Sequence, residues 1–226
     1  MGLPCGGNIR VAVFRPDQAV LERIIACQAE RVPTALALDL ASGAQSLAVG
    51  DDEIDRLPGD RDSLFIRPHE AAWTLIIAGA VHIGQVLAGM ARSVGFAVTV
   101  VDPRRAFAQA ERFPGITLVC GEPDEVLGEM TLDRRTAVVS LTHVPRLDDA
   151  ALRVALASPA FYVGALGSTR THAKRCQRLG DHGLGQRELD RISAPVGLDI
   201  GAKTPAEIAV SILAQLIAAR RGKTGR

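Results

Sequence analysis

The stretch that decides the fold reads WTLIIAGAVHIG and occupies residues 73–84. An apolar run of strand length meets a glycine turn, and a helical pattern follows. This order is typical of a dinucleotide-binding βα unit, which carries glycines at three positions of the turn. Gly79 and Gly84 supply the first and third, but Val81 stands in the middle. A branched side chain there hinders the approach of a pyrophosphate, so the stretch predicts the fold more strongly than the ligand.

From residue 73 onward, apolar strands alternate with helical patterns. The predicted strands are Leu75–Ala78, Ala97–Val101, Ile116–Val119, Ala137–Ser140 and Phe161–Val163. Continuous apolar strands separated by helices indicate a parallel sheet covered on both faces. We therefore predict an α/β fold, a doubly wound Rossmann-like parallel sheet over residues 73–221, with ligands at the carboxyl ends of its strands.

The preceding residues 1–67 predict a small α+β region. A helix capped by Asp17 is expected to end before Pro33. Strands are expected at Ile9–Phe14, Ala35–Leu40, Ser46–Val49 and Leu64–Ile66, and a loop from Gly50 to Asp62.

Composition excludes several classes of protein. The 226 residues are 47% hydrophobic and carry a net charge of +1, which predicts neither a nucleic-acid nor a membrane surface. The four cysteines lie far apart, so neither a zinc site nor a disulfide framework is indicated. No apolar run is long enough to span a bilayer. We expect a soluble, cytoplasmic protein.

Polar residues follow two of the predicted strands. Asp102 lies at the spacing expected of a carboxylate that binds a ribose 2′-hydroxyl, although a simple Asp-Pro turn explains it equally well. Arg104 beside it leaves a phosphate-bearing ligand open. Thr142 and His143 follow the fourth strand, where the histidine could bind a ligand or shuttle a proton, or simply lie on a surface loop.

A second strand–glycine–helix unit contains Gly164, Gly167 and Ser168. Ser168 can cap the following helix, whose first turns carry Arg170, His172, Lys174 and Arg175. Exposed backbone N–H groups, the helix dipole and these cations together predict an anion site. The alternative is a solvated basic face.

Two glycine-rich segments offer weaker candidates. Lys203 ends a glycine-punctuated loop before the final helix, from which it could reach a phosphate. Cys5 precedes two glycines, so its thiol could approach a ligand closely. An ordinary connection and a free terminal cysteine are the alternatives.

These stretches together resemble the XdhC/CoxI family, the xanthine dehydrogenase accessory proteins. The similarity is strongest at 79–84, 142–149, 161–175 and 194–215, and the tract at 194–212 is highly specific. The resemblance implies a carrier of the molybdenum cofactor, which protects the cofactor during sulfuration and delivers it. The implied partners are an apo molybdenum hydroxylase, a cysteine desulfurase and a second copy in a homodimer.

Departures from the family pattern qualify this resemblance. The sequence does not show most of the family's N-terminal half. Residues 1–67 are interpreted as the remnant of that half together with the linker. A separately encoded N-terminal half is a candidate partner. Val81 replaces a usual glycine and Val144 a usual aspartate, whereas Cys5 matches a family cysteine.

The leading hypothesis is a non-catalytic chaperone for molybdopterin or its cytosine dinucleotide. The alternatives are an NAD(P)-dependent oxidoreductase and a ligand-free interaction subunit. The predicted cofactor-binding residues are Cys5, Gly79, Val81, His82, Gly84, Asp102, Thr142, His143, Gly164, Gly167, Ser168, Arg170 and Lys203, and neither catalytic residues nor metal ligands are predicted.

Overall fold

A computed structural model describes residues 11–58 and 63–223. The chain divides into two compact units, with the boundary between Ala71 and Ala72. The interpretation of residues 1–67 as a remnant half and of 73–221 as the ligand-binding domain stays a prediction.

The first unit is built on a helix and a small antiparallel sheet. Helix α1 (Gln18–Ala29) begins after Asp17, whose side chain accepts hydrogen bonds from the first turn, and it ends before Pro33 as predicted. The sheet has the order β2-β1-β3. Its strands are β1 (Thr34–Asp39), β2 (Gln45–Val49) and β3 (Leu64–His69).

Two predictions in this unit are wrong. Residues 11–14 form no strand. The side chains of Val11 and Val13 are 78% and 92% exposed, so they are not packed into a core of the described residues. Residues 9 and 10 lie outside the described residues. The predicted loop contains helix α2 (Asp51–Asp55), whose acidic first turn complements the helix dipole.

The second unit contains a six-stranded, wholly parallel sheet of order β6-β5-β4-β7-β8-β9. This is the Rossmann strand order, and it confirms the predicted fold class. The strands are β4 (Trp73–Ala78), β5 (Phe96–Val101), β6 (Thr117–Val119), β7 (Thr136–Ser140), β8 (Tyr162–Ala165) and β9 (Ile192–Ser193).

Helices cover both faces of this sheet. They are α3 (His82–Ser93), α4 (Pro123–Gly128), α5 (Pro145–Ala157), α6 (Thr169–Asp181), α7 (Gln186–Leu189) and α8 (Pro205–Arg220), with a short 3₁₀ turn at Ala110–Arg112. Sequence patterns did not predict α4, α7 or β9, because each is too short to show a period.

Successive side chains of β4 point to opposite faces of the sheet, so each face contributes to a separate part of the core. Leu75 and Ile77 pack with residues of α3 and α8, whereas Ile76 and Ala78 pack with residues of α5 and α6. The predicted capping box at Thr204 is present and starts α8. Among the described residues, no helix is both long and apolar enough to cross a membrane.

The strand order reverses between β4 and β7. Loops leaving these neighbouring strands run in opposite directions, which opens a crevice at the carboxyl edge of the sheet. The turns after β4, β7 and β8 therefore define the region where a ligand is expected.

Candidate functional site

The first glycine turn joins β4 to α3. Gly79 has φ 122°, and a Cβ there would lie 3.0 Å from the backbone nitrogen of Thr142. A Cβ on Gly84 would lie only 2.5 Å from the carbonyl oxygen of Gly79. Both glycines are thus required by the backbone conformation or by close packing of the turn, whether or not a ligand binds.

Val81 is the N-cap residue of α3. Its side chain makes no capping hydrogen bond and packs against the apolar core shared by α3 and α8. His82, the first helical residue, is exposed. Val81 therefore contributes to the core at the position where a dinucleotide-binding turn has a bare backbone.

The carboxylate of Asp102, at the end of β5, is fully buried. Its Oδ1 accepts hydrogen bonds from the backbone N–H and the Nε of Arg104, at 3.0 and 2.8 Å. Its Oδ2 accepts from the Nη2 of Arg104 at 2.7 Å and from the N–H of Ala80 at 2.8 Å. A carboxylate offers about four acceptor positions, so this one is filled by its own chain.

Electrostatics agree with this geometry. Burial alone would raise the pKa of Asp102, but the hydrogen bonds from Arg104 and Ala80 outweigh it and hold the pKa below its usual value. The same pairing raises the pKa of Arg104. Asp102 is therefore ionised and paired, and it ties β5 to the first glycine turn.

Arg112 also forms a hydrogen bond to the first glycine turn. Its Nη1 donates to the carbonyl oxygen of Ala80 at 2.9 Å and to that of Phe107 at 2.7 Å. Since the N–H of Ala80 already bonds Asp102, both backbone polar groups of Ala80 are engaged within the chain.

The turn after β7 is organised by Asp148 of α5, which is 5% exposed. Its Oδ1 accepts from the hydroxyl of Ser140 at 2.5 Å, and from the hydroxyl and N–H of Thr142 at 2.6 and 3.1 Å. His143 follows with φ 60°, a strained value for a residue with a side chain. The hydrogen bonds of Thr142 thus fix the turn, whereas His143 is exposed.

The second glycine turn joins β8 to α6. Gly164 lies within β8, where a Cβ would lie 2.7 Å from the Val196 side chain, so this glycine serves packing. Gly167 has φ 134°, and a Cβ there would press on Thr171 at 3.0 Å. Ser168 caps α6 by accepting from the N–H of Thr171, which confirms the predicted start of this helix.

A cavity of about 220 Å³ lies between the turns after β7 and β8. Four cationic side chains and one carboxylate contribute to its wall. The lining residues are His143, Pro145, Asp148, Leu166, Arg170, Thr171, Lys174, Arg175 and Arg178. Such a concave, cationic wall at the strand ends suits an anionic ligand.

Arg175 is the unusual member of this wall, because it is only 2% exposed. Its Nη2 donates to the carbonyl oxygen of Leu166 at 2.7 Å. Its Nε and Nη1 are buried and have no hydrogen-bond partner among the described residues. An unsatisfied buried donor costs about 1–3 kcal/mol, more when it is charged.

Arg178 and Arg175 differ in how the neighbouring carboxylates engage them. Arg178 is neutralised by Asp149, to which its Nε and Nη2 donate at 2.5 and 3.0 Å. Burial lowers the pKa of Arg175, and the carboxylates of Asp148 and Asp149 oppose that shift. An arginine remains charged at neutral pH, so Arg175 places a buried cation at the cavity, and no residue in the described ranges forms an ion pair with it.

The structure brings only some predicted residues together. His143 and Arg170 line the cavity, and Ser168 caps the helix beside it. Lys203 is exposed and does not line it; its N–H donates to Glu207 at the start of α8. Cys5 lies outside the described residues. The other predicted site residues shape the two glycine turns and the loop after β7.

Sequence reasoning omitted Asp148 and Arg178 from the predicted site. It counted Arg175 among the cations of the predicted anion site but did not predict its burial. One signal could have shown that burial: Arg175 precedes Leu179 by four residues, so it shares the buried face of α6. A cation at a core position of a helix usually has a partner or a ligand. No group of three or more potential metal ligands occurs within residues 11–58 and 63–223.

Comparison with known proteins agrees with this architecture. Residues 75–216 match the XdhC Rossmann domain. A crystal structure described as a xanthine dehydrogenase from Bacillus halodurans superimposes with a TM-score of 0.71 at 25% identity, covering 90% of this chain and 64% of that one.

Two curated relatives are similar over most of the chain. The molybdenum cofactor insertion chaperone PaoD of Escherichia coli (strain K12) is 30% identical over 228 residues, 96% of this chain and 61% of the relative. A probable xanthine dehydrogenase subunit from Bacillus subtilis (strain 168) is 34% identical over 160 residues, 70% of this chain and 46% of the relative. The chain thus spans less than two thirds of either relative. Because the domain match covers more than half of its length, the chain belongs to the XdhC family.

Proposed function

We propose that the protein binds the molybdenum cofactor and serves as an accessory protein for a molybdenum hydroxylase of the xanthine dehydrogenase or CO dehydrogenase type. One observation carries the proposal: a member of the XdhC family has a cationic cavity at the carboxyl edge of its Rossmann sheet. Molybdopterin and its cytosine dinucleotide both carry phosphate, so both are anions that such a cavity attracts.

The residues of the cavity fit a ligand of this class. Arg170 and Lys174 are exposed at its wall, and no ion pair engages either of them among the described residues. Arg175 adds two buried donors that have no partner within residues 11–58 and 63–223. His143 and Thr171 add neutral polar groups, and these side chains would hold the ligand by hydrogen bonds and charge.

The state of Asp102 counts against the NAD(P)-dependent oxidoreductase. Ribose recognition in a Rossmann enzyme needs a carboxylate that can accept from a ribose hydroxyl. Asp102 already accepts four hydrogen bonds, and Val81 occupies the position of the middle glycine. A cargo-binding chaperone requires neither feature.

Further parts of the proposal follow from the family. We infer protection of the sulfurated cofactor, receipt of sulfur from a cysteine desulfurase, and delivery to the apo-hydroxylase. A homodimer, a separate N-terminal half and a cytoplasmic location belong to the same proposal.

Retention of the cofactor tests the proposal directly. Purified protein is incubated under anaerobic conditions with cofactor released from a purified molybdenum hydroxylase and passed through gel filtration. We expect pterin fluorescence to elute with the protein. Absence of pterin from the protein peak, both alone and with a separately expressed N-terminal half of a relative, would refute cofactor binding.

Titration with NADH and NADPH in a calorimeter separates the proposal from the oxidoreductase. We expect no binding in the micromolar range to either nucleotide. Micromolar binding would favour the oxidoreductase, whereas failure to bind pterin or nucleotide would favour a ligand-free interaction subunit.

A further inference from the structure

In the first glycine turn, Ala80 has no free backbone polar group to offer an anion. The N–H of Ala80 donates to the carboxylate of Asp102, and the carbonyl oxygen of Ala80 accepts from Arg112. The other acceptor positions of the Asp102 carboxylate are taken by Arg104. Val81 adds an apolar side chain at the N-cap. A pyrophosphate in the usual Rossmann position would therefore meet a side chain where the fold ordinarily presents bare backbone.

The second glycine turn differs in the buried side-chain donors that lie beside it. Ser168 occupies the N-cap of α6, and its hydroxyl is directed to the N–H of Thr171. The carbonyl oxygen of Leu166, in the same turn, accepts a hydrogen bond from the Nη2 of Arg175. This bond fixes the guanidinium at the cavity wall. The buried Nε and Nη1 of Arg175 remain without partners among the residues described here.

The charges of the cavity favour a doubly charged anion. Arg178 is paired with Asp149, which leaves Arg170, Lys174 and Arg175 as the cations of the wall. Asp148 is the opposing carboxylate, and one of its oxygens is occupied by Ser140 and Thr142. Three cations against one carboxylate leave a charge that matches a phosphate monoester dianion, and a guanidinium is well suited to bind phosphate oxygens.

We propose that the β8–α6 turn, through Arg175, is the seat of the ligand's phosphate group, in place of the β4–α3 turn that seats phosphate in dinucleotide-binding Rossmann domains. The ligand class is an ester with a terminal phosphate. This assignment rests on the proposed function for the identity of the cargo, but the phosphate seat itself is a property of the cavity.

Crystals of the full chain soaked in tungstate, a heavy analogue of phosphate, locate the seat. We expect an anomalous peak in the cavity about 4 Å from a nitrogen of Arg175, because the tungsten atom lies one W–O bond beyond the oxygen that accepts the hydrogen bond. A peak only at the turn of residues 79–84, or no peak in the cavity, would overturn the assignment.

Calorimetry with inorganic phosphate measures the contribution of the side chain. We expect Arg175→Gln to weaken binding about tenfold or more, the loss of roughly one charge-assisted hydrogen bond. Arg153→Gln, which removes the same charge from an exposed pair with Asp124, is the matched control and should bind as the wild type does.

Two further arms keep the test decisive. If Arg175→Gln does not fold, the exposed Arg170→Gln should still weaken phosphate binding about threefold, and equal binding in the wild type and this variant would refute the seat. Pterin retention is measured separately on the wild type. Phosphate bound at Arg175 without pterin retention would support the seat and reject the proposed cargo.

Discussion

Arg104 donates three hydrogen bonds to the carboxylate of Asp102, two from its guanidinium and one from its backbone N–H. The pair lies at the end of β5, and the remaining acceptor position is filled by Ala80 of the neighbouring turn. A residue with the spacing of a ribose ligand therefore acts as an internal tie between two loops.

Asp102→Asn should lower the free energy of unfolding by about 1.5–3 kcal/mol at pH 7, because hydrogen bonds to a charged group are lost. The pKa of Asp102 is lowered in the folded protein, so its contribution is present above the unfolded pKa of about 3.9 and is lost as pH falls through the folded value. Urea unfolding at several pH values should show the two proteins converging below about pH 4.

The matched control for this variant is Asp124→Asn, because the ion pair of Asp124 with Arg153, at 3.7 Å, is exposed. It should change stability by less than about 0.5 kcal/mol. A difference between Asp102→Asn and wild type that stays constant down to pH 2 would contradict an ionised, paired Asp102.

Val81→Gly should not create a site for NADH or NADPH. The substitution restores the glycine pattern, but Asp102 remains filled by Arg104 and Ala80. Calorimetric titration should show no micromolar binding. Adding Arg104→Ala frees the acceptor positions on Asp102 that the guanidinium fills, so any gain in affinity should require the double variant. Micromolar binding by Val81→Gly alone would show that the side chain of Val81 is the sole obstacle.

Gly84→Ala should destabilise the second unit by about 1–3 kcal/mol. The added Cβ would lie 2.5 Å from the carbonyl oxygen of Gly79, and backbone on both sides must move to relieve the overlap. Thermal unfolding followed by circular dichroism measures the loss.

Gly89→Ala is the control for that variant. It lies in the same helix, with nothing within 4 Å of the added methyl group. Because alanine favours a helix interior over glycine, this variant should gain about 0.5–1 kcal/mol. Equal effects of the two substitutions would refute close packing at Gly84.

Ser168→Ala should cost about 1 kcal/mol, because the N–H of Thr171 loses its capping acceptor at the start of α6. Ser168→Asp retains an acceptor and places a negative charge at the helix N-terminus, so it should preserve stability. Chemical denaturation of both variants tests the cap. Equal losses would mean that the hydroxyl does more than cap the helix.

The same pair of variants bears on the phosphate seat. An aspartate at position 168 brings a negative charge close to the cavity, so Ser168→Asp should weaken phosphate binding at low salt while leaving the fold intact. Unchanged phosphate affinity at low ionic strength would place the anion away from this turn.

The sequence by itself determined the parallel sheet, its strand–helix alternation and the caps at Asp17, Ser168 and Thr204. Local patterns predict these features, namely apolar runs, glycine turns and capping residues. The caps are stabilised by contacts within a few residues, whereas the sheet is stabilised by pairing between strands far apart in the sequence. Short elements such as α4, α7 and β9 lack such a pattern, and α2 was concealed within an acidic loop.

Only the tertiary structure decided what the polar residues do. Asp102 fits the ribose spacing, yet its partners come from neighbouring loops, and no local pattern reveals that its acceptors are filled. Arg175 is one cation among several in the sequence. Only folding buries it beside a cavity, where two of its donors find no partner in the part of the chain that the structure describes. Local chemistry selects the elements, whereas the packing of distant loops decides which charged groups are paired and which are buried without a partner among the described residues.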